Sequence, residues 1–243
     1  MLKPDKVFVL LYAASSILFA FFFISWQKDD SKLEFSDTKQ IPILSYHNVQ
    51  INPKKPSAYF ISSKVLEKQI KYLKENGYKT VSPDDIYNHF VQGYPLPEKP
   101  VMLSFDDTRK DHFAIVAPML EKYGFKGTFF IMTVAIGKKN YMTASEIKSL
   151  ADNGHTIGHH TYDHQDLRKL PLKDWTIQIE QPKRQLEKII GKEVSYLAYP
   201  FGLWNEYAAT ELKKRKFKGA FQLSGKLDKK NALFSMRRII VPG

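Results

Sequence analysis

The chain has 243 residues, 43% hydrophobic and 14% aromatic, with no cysteine and a formal charge of +12 at pH 7. That size and apolar content support one packed domain of about 200 residues and exclude a largely disordered chain. The absence of cysteine excludes disulfides and a lipidated cysteine, so core packing alone must stabilise the domain.

The first element in chain order is VFVLLYAASSILFAFFFISW, Val7 to Trp26, which carries no charge over 20 residues. As a helix it would rise about 30 Å, the thickness of a bilayer's hydrocarbon core. Its length, and the large residues at Phe23, Ile24 and Trp26, favour an uncleaved anchor over a signal peptide. Lys3 and Lys6 precede it and Asp29 and Asp30 follow it, which leaves the N-terminus inside and the remainder outside the cell membrane. Residues 1–26 are therefore expected to be a transmembrane helix, 27–40 a polar juxtamembrane linker, and 41–243 a single extracellular domain. The basic runs ELKKRKFKG and GKLDKKN lack the interleaved aromatics of a nucleic-acid platform. No nucleic-acid partner is expected; an anionic envelope or lipid surface is the expected acidic neighbour.

From Ile41 onward, apolar runs alternate with amphipathic segments. IPILSY reads as a strand, and SSKVLEKQIKYLKENG as a helix with Val65, Leu66, Ile70 and Leu73 on one face and Gly77 as terminator. KPVMLSF, GTFFIM, HTIGH, VSYLAY, GAFQLS and MRRIIV are further strands. HFAIVAPMLEKYG, TASEIKSLADNG, LKDWTIQIEQPKRQLEKIIG and EYAATELKKRK are the helices between them, the third with a break at Pro182. Such alternation implies a parallel sheet or a (β/α) barrel, with chemistry at the carboxyl ends of the strands.

Three clusters lie at strand ends. The run VMLSF ends in Asp106 and Asp107, whose side chains leave the strand in different directions, so that one can hold a metal while the other faces a reacting water. HTIGHHTYDH places His160 and His164 at i, i+4, where a helical turn would put both imidazoles on one face and turn His159 elsewhere. One aspartate and two histidines with an open position describe a catalytic, zinc-like site. SYLAYPFGLWN carries Pro200, Phe201 and Gly202, a turn able to aim a backbone N–H into a pocket, and Trp204, a flat face for a sugar ring.

SFDD, HTYDH and YPFG, in that order, resemble the polysaccharide deacetylases of carbohydrate esterase family 4, the NodB-like domain, over about residues 41–243. The resemblance implies a distorted (β/α)7-type barrel, Asp106 as catalytic base, and Asp107, His160 and His164 as ligands of a divalent metal, Zn²⁺ first, with Co²⁺ or Ni²⁺ also accepted. It further implies a polysaccharide substrate, an oxyanion donor at Phe201 beside Pro200, and Trp204 as a sugar contact. Four positions depart from the family's usual pattern. Ala198 stands where an arginine usually pairs with the base, leaving Arg237 or Arg238 as candidates for orienting Asp106; Thr108 replaces a glycine; and His159 replaces an asparagine. No histidine follows His164, but PILSYHNV ends a first strand at His47, as in the circularly permuted poly-β-1,6-N-acetylglucosamine deacetylases of biofilm systems, the IcaB and PgaB type. That layout implies His47 as general acid and that polymer as substrate. The alternatives are deacetylation of peptidoglycan or a chitin-like oligosaccharide, and a glycan-binding protein that keeps the fold without turnover.

Overall fold

The computed structural model describes residues 41–51, 57, 59–223 and 225–242. The expected membrane helix at 1–26 and the linker at 27–40 lie outside these residues, and no described helix is long and apolar enough to cross a membrane.

In chain order the elements are β1 (Ile43–Tyr46), β2 (Asn48–Gln50), β3 (Phe60–Ser62), α1 (Ser63–Glu75), β4 (Lys79–Thr80), α2 (Pro83–Gln92), β5 (Pro100–Phe105), α3 (Ala117–Lys122), β6 (Thr128–Ile131), α4 (Ala144–Asp152), β7 (Thr156–His159), α5 (Gln181–Ile190), β8 (Tyr196–Ala198), α6 (Glu206–Lys214), β9 (Gly219–Gln222), β10 (Met236–Arg237) and β11 (Ile239–Ile240). The main sheet is parallel, in the order β10-β9-β8-β7-β6-β5-β1-β11, with β4 alongside β5. Arg238 is the single residue between β10 and β11; β10 pairs with β9 while β11 pairs with β1, so one segment spans both ends of the sheet. With that segment counted once, the strands form a nearly closed parallel barrel of seven, and β1 sits between β5 and the last segment. The expected barrel is thus observed.

Alternation along each strand sorts side chains into two layers. Val101, Leu103 and Phe105 of β5 pack outward with Phe129, Ile131, Ile157 and the buried stripe Leu66, Ile70 and Leu73 of α1. Met102 faces inward with Ile43, Phe130, Tyr196, Phe221 and Met236. Val65, expected on the buried face of α1, is 37% exposed because that stripe already fills the space against the sheet. Helix α2 is begun by a capping box at Ser82 and Asp85, with Pro83 in its first turn. Its Ile86, Tyr87 and Phe90 join the inward cluster, and Tyr196 Oη donates to Asp84 at 2.7 Å, so α2 covers the end of the barrel where the strands begin. Gly158 of β7 leaves room for this interior: a Cβ there would lie 2.4 Å from the Phe130 ring.

Pro182 falls in the first turn of α5, after a π-helical run at Thr176–Glu180; Pro118 stands likewise in α3 after the π run His112–Val116. Proline supplies no N–H and its ring crowds the carbonyl four residues back, and a wider turn upstream relieves that conflict.

Candidate active site

Strand register assembles the site. β1 and β5 pair Ser45 with Ser104 and Tyr46 with Phe105, so the next residues, His47 and Asp106, emerge together on the inward side at the carboxyl ends. The Asp106 N–H donates to the Tyr46 carbonyl at 3.1 Å, and His47 Nε2 lies 3.8 Å from Asp106 Oδ2. The other carboxylate oxygen, Oδ1, accepts from Arg238 Nη1 at 2.7 Å. Asp106 and Arg238 are each 1% exposed, and the guanidinium also lies over the Phe130 ring. Arg237 is exposed, because neighbouring residues of one strand face opposite sides; of the two candidates it is Arg238 that meets Asp106. Burial alone would raise the pKa of Asp106, but the charges of Arg238, His160 and His47 outweigh it and hold the carboxyl below the usual range. His47 shifts downward through burial, against the pull of Asp106 and Asp107.

Asp107 turns away in a left-handed conformation, φ 76°. Its Oδ1 lies 3.5 Å from His160 Nε2 and 3.8 Å from His164 Nε2, and one donor atom from each of the three residues falls within 4.8 Å of the others. Burial opposes ionisation of Asp107, yet hydrogen bonding and charge from His160, with the charges of His47 and His164, hold its carboxyl well below the ordinary range. His160 Nδ1 donates to the Ala198 carbonyl at 2.7 Å, which fixes the orientation of the ring and turns Nε2 toward Asp107. His160 and His164 do not share a helix face, contrary to expectation. His160 follows β7 directly, and a tight turn with Thr161 at φ 65° and His164 at φ 71° folds back, held by the His164 N–H on Thr161 Oγ1 at 2.8 Å. His159 points elsewhere as expected: it is fully buried, its Nδ1 accepting from the Thr161 N–H and its Nε2 donating to the Ile179 carbonyl.

The third strand end supplies a rim. Pro200 is buried and Trp204 half-buried, while Phe201 is 60% exposed at φ 58° with its ring centroid 4.4 Å from that of His164. Two contacts escaped the sequence reading. His112 Nε2 donates to the His47 carbonyl at 2.6 Å, and the Asp111 carboxylate accepts from the Val49 N–H, gripping the chain just after His47, on either side of Asn48. Their only signal was an acid and a histidine shortly after the paired aspartates, and it has meaning only once β1 is known to lie against β5.

Residues 93–220 match the family described as polysaccharide deacetylase. The chain belongs to that family. Membership makes this polysaccharide deacetylase a hydrolase acting on carbon–nitrogen bonds, and its relatives extend the match beyond the shared segment. The family protein YxkH of Bacillus subtilis is 27% identical over 221 residues, 89% of this chain and 78% of its own length. The poly-β-1,6-N-acetyl-D-glucosamine N-deacetylase of Staphylococcus aureus is 26% identical over 226 residues, 82% and 77% of the two chains. The Streptococcus pyogenes deacetylase PplD, solved in complex with acetate, superposes with a TM-score of 0.76 at 25% identity, covering 83% of this chain and 92% of its own.

Proposed function

We propose that this deacetylase removes acetyl groups from an extracellular N-acetylglucosamine polymer, first of all poly-β-1,6-N-acetyl-D-glucosamine, with a divalent metal. In this reading residues 7–26 hold the enzyme in the cell membrane and its basic surface lies near anionic envelope components. The observation that carries it is the meeting of Asp106, Asp107, His160 and His164 at one barrel mouth with His47 from the first strand.

The donor set suits a metal. His160 has its Nδ1 committed to Ala198, so its remaining nitrogen and that of His164 converge with one carboxylate, two imidazoles and an oxygen of the kind Zn²⁺, Co²⁺ and Ni²⁺ accept. Such an ion, when bound, supplies Lewis acidity to the acetyl carbonyl and acidifies water.

The protein's own groups supply the rest. Asp106 keeps Oδ1 on Arg238 and has Oδ2 free to take the proton of the attacking water. The Phe201 N–H is the donor this reading assigns to the developing oxyanion; loss of one such donor costs on the order of 10² to 10³ in rate. His47 gives a proton to the departing glucosamine nitrogen, and the products are acetate and a polymer with a free amine. Phe201 and Trp204 offer apolar surface to the sugar rings.

The test measures free-amine release by the full-length chain in detergent, from β-1,6-linked N-acetylglucosamine oligomers, peptidoglycan fragments and chitooligosaccharides, after chelation and after metal is restored. Metal-dependent release from the β-1,6 oligomers, lost in His160→Ala and His47→Ala, is the expected result. Release from peptidoglycan or chitooligosaccharides alone would move the substrate, and no release from any of them would overturn the reading.

A further inference from the structure

Thr108 is the residue of the site with the least reason to be a threonine. It follows Asp107 directly, both are left-handed, at φ 60° and 76°, and Thr108 is fully buried. A β-branched side chain is strained in that region, where glycine enters freely. Something in the fold must hold it there.

Its hydroxyl does so. Thr108 Oγ1 accepts from the Met132 N–H at 2.7 Å and donates to the Met132 carbonyl at 3.1 Å, closing on both polar groups of one residue just past β6. The next two residues then hold the histidine turn: Thr133 N–H donates to the Thr161 carbonyl at 3.3 Å and Val134 N–H to the Tyr162 carbonyl at 2.9 Å. Thr161 Oγ1 in turn accepts from the His164 N–H. Hydrogen bonds linked through the backbone of Met132–Thr133 and through Thr161 therefore connect the residue beside Asp107, by way of the end of β6, to His164.

We propose that Thr108 is a positioning residue that sets Asp107 in register with His160 and His164, so that the three donor atoms stand ready for a metal. The inference rests on the metal-site reading above and deepens it. A glycine at this position would leave the Asp107 turn joined to β6 by no side chain, whereas threonine trades backbone strain for a fixed link between the two loops.

The experiment is a competition titration of Zn²⁺ and Co²⁺ against a chromophoric chelator, with the thermal midpoint of each metal-free protein recorded alongside. The proteins compared are the full chain, Thr108→Val, Thr108→Ser and Asp107→Ala. Valine keeps the shape and the branch but has no hydroxyl; it is expected to weaken metal binding about 10- to 100-fold, the usual effect of removing a group that orients a ligand. Serine keeps the hydroxyl and should stay within a few-fold of the parent. Should the valine variant not fold, Thr108→Gly, free of the strain, carries the same expected loss. Parent-like affinity in the valine or glycine variant, with Asp107→Ala weakened, would overturn the role of Thr108 alone. Equal affinity in Asp107→Ala and the parent, or no binding by the parent, would overturn the metal site and this inference with it.

Discussion

Replacing Arg238 with methionine tests how the buried carboxylate at Asp106 is kept ionised. The guanidinium donates to Asp106 at 2.7 Å, both groups are 1% exposed, and the remaining charged neighbours of Asp106 are His160 and His47. Removing one partner of such a pair leaves an uncompensated buried charge, at a cost of about 3–5 kcal/mol in stability, unless the carboxyl takes up a proton. The sign follows from the depressed pKa of Asp106: its stabilising contribution is present above the unfolded value and is lost as pH falls through the folded one. Without Arg238, burial dominates and the pKa rises. The acidic limb of the deacetylation rate should therefore move to higher pH, and the neutral rate should fall by about 10²-fold or more, the lower range for a general base. Initial rates of amine release from pH 4 to 9 at fixed metal, with thermal unfolding over the same range, read both effects. Arg237→Met is the control, since its side chain is exposed and should change neither. An unmoved acidic limb in Arg238→Met, in a folded protein, would refute the reasoning.

Stripping metal with a chelator should abolish amine release and restoring it should recover the rate, whereas His160→Ala should recover neither rate nor bound metal by elemental analysis. His159 makes the fold sensitive to acid: burial pushes its pKa down to about 3, so the unfolded chain takes up a proton near pH 6.5 while the folded one does not. Its contribution is intact above pH 6.5 and erodes as pH falls toward 3, by about 2 kcal/mol at pH 5 at 1.36 kcal/mol per unit; His159→Asn should flatten the dependence of the thermal midpoint on pH. Gly158→Ala should cost about 1–3 kcal/mol by overpacking, because the new Cβ meets the Phe130 ring at 2.4 Å. Since Arg238 lies over that ring, both the denaturation midpoint and the rate should fall.

Much of this was legible in the residues. Strand ends betray themselves because an apolar run that stops at Asp106 or at His160 cannot bury those side chains without partners, and family resemblance then assigned the partners. His47 was readable because the first strand has the same apolar-then-histidine form. What escaped depends on neighbours far away in sequence. The i, i+4 spacing of His160 and His164 fits a helix and a folded-back turn equally, and only positive φ at Thr161 and His164 decides for the turn. Arg237 and Arg238 differ by one position, which no composition separates, yet strand alternation buries one and exposes the other. Helix α2 was missed because only three of its residues reach the core and its start signal, Ser82-Pro83-Asp84-Asp85, also reads as a turn.

The segment from Met236 to Ile240 joins both ends of the sheet and carries Arg238, which lies 132 residues beyond Asp106. A nascent chain therefore makes its aspartates long before it makes their counter-ion. Until that last strand slots between β9 and β1, the polypeptide holds a half-built reaction centre whose carboxylate has no guanidinium beside it. Catalytic competence thus arrives with topological closure: the long-range pairing that completes the sheet is also the step that gives the buried carboxylate its counter-ion.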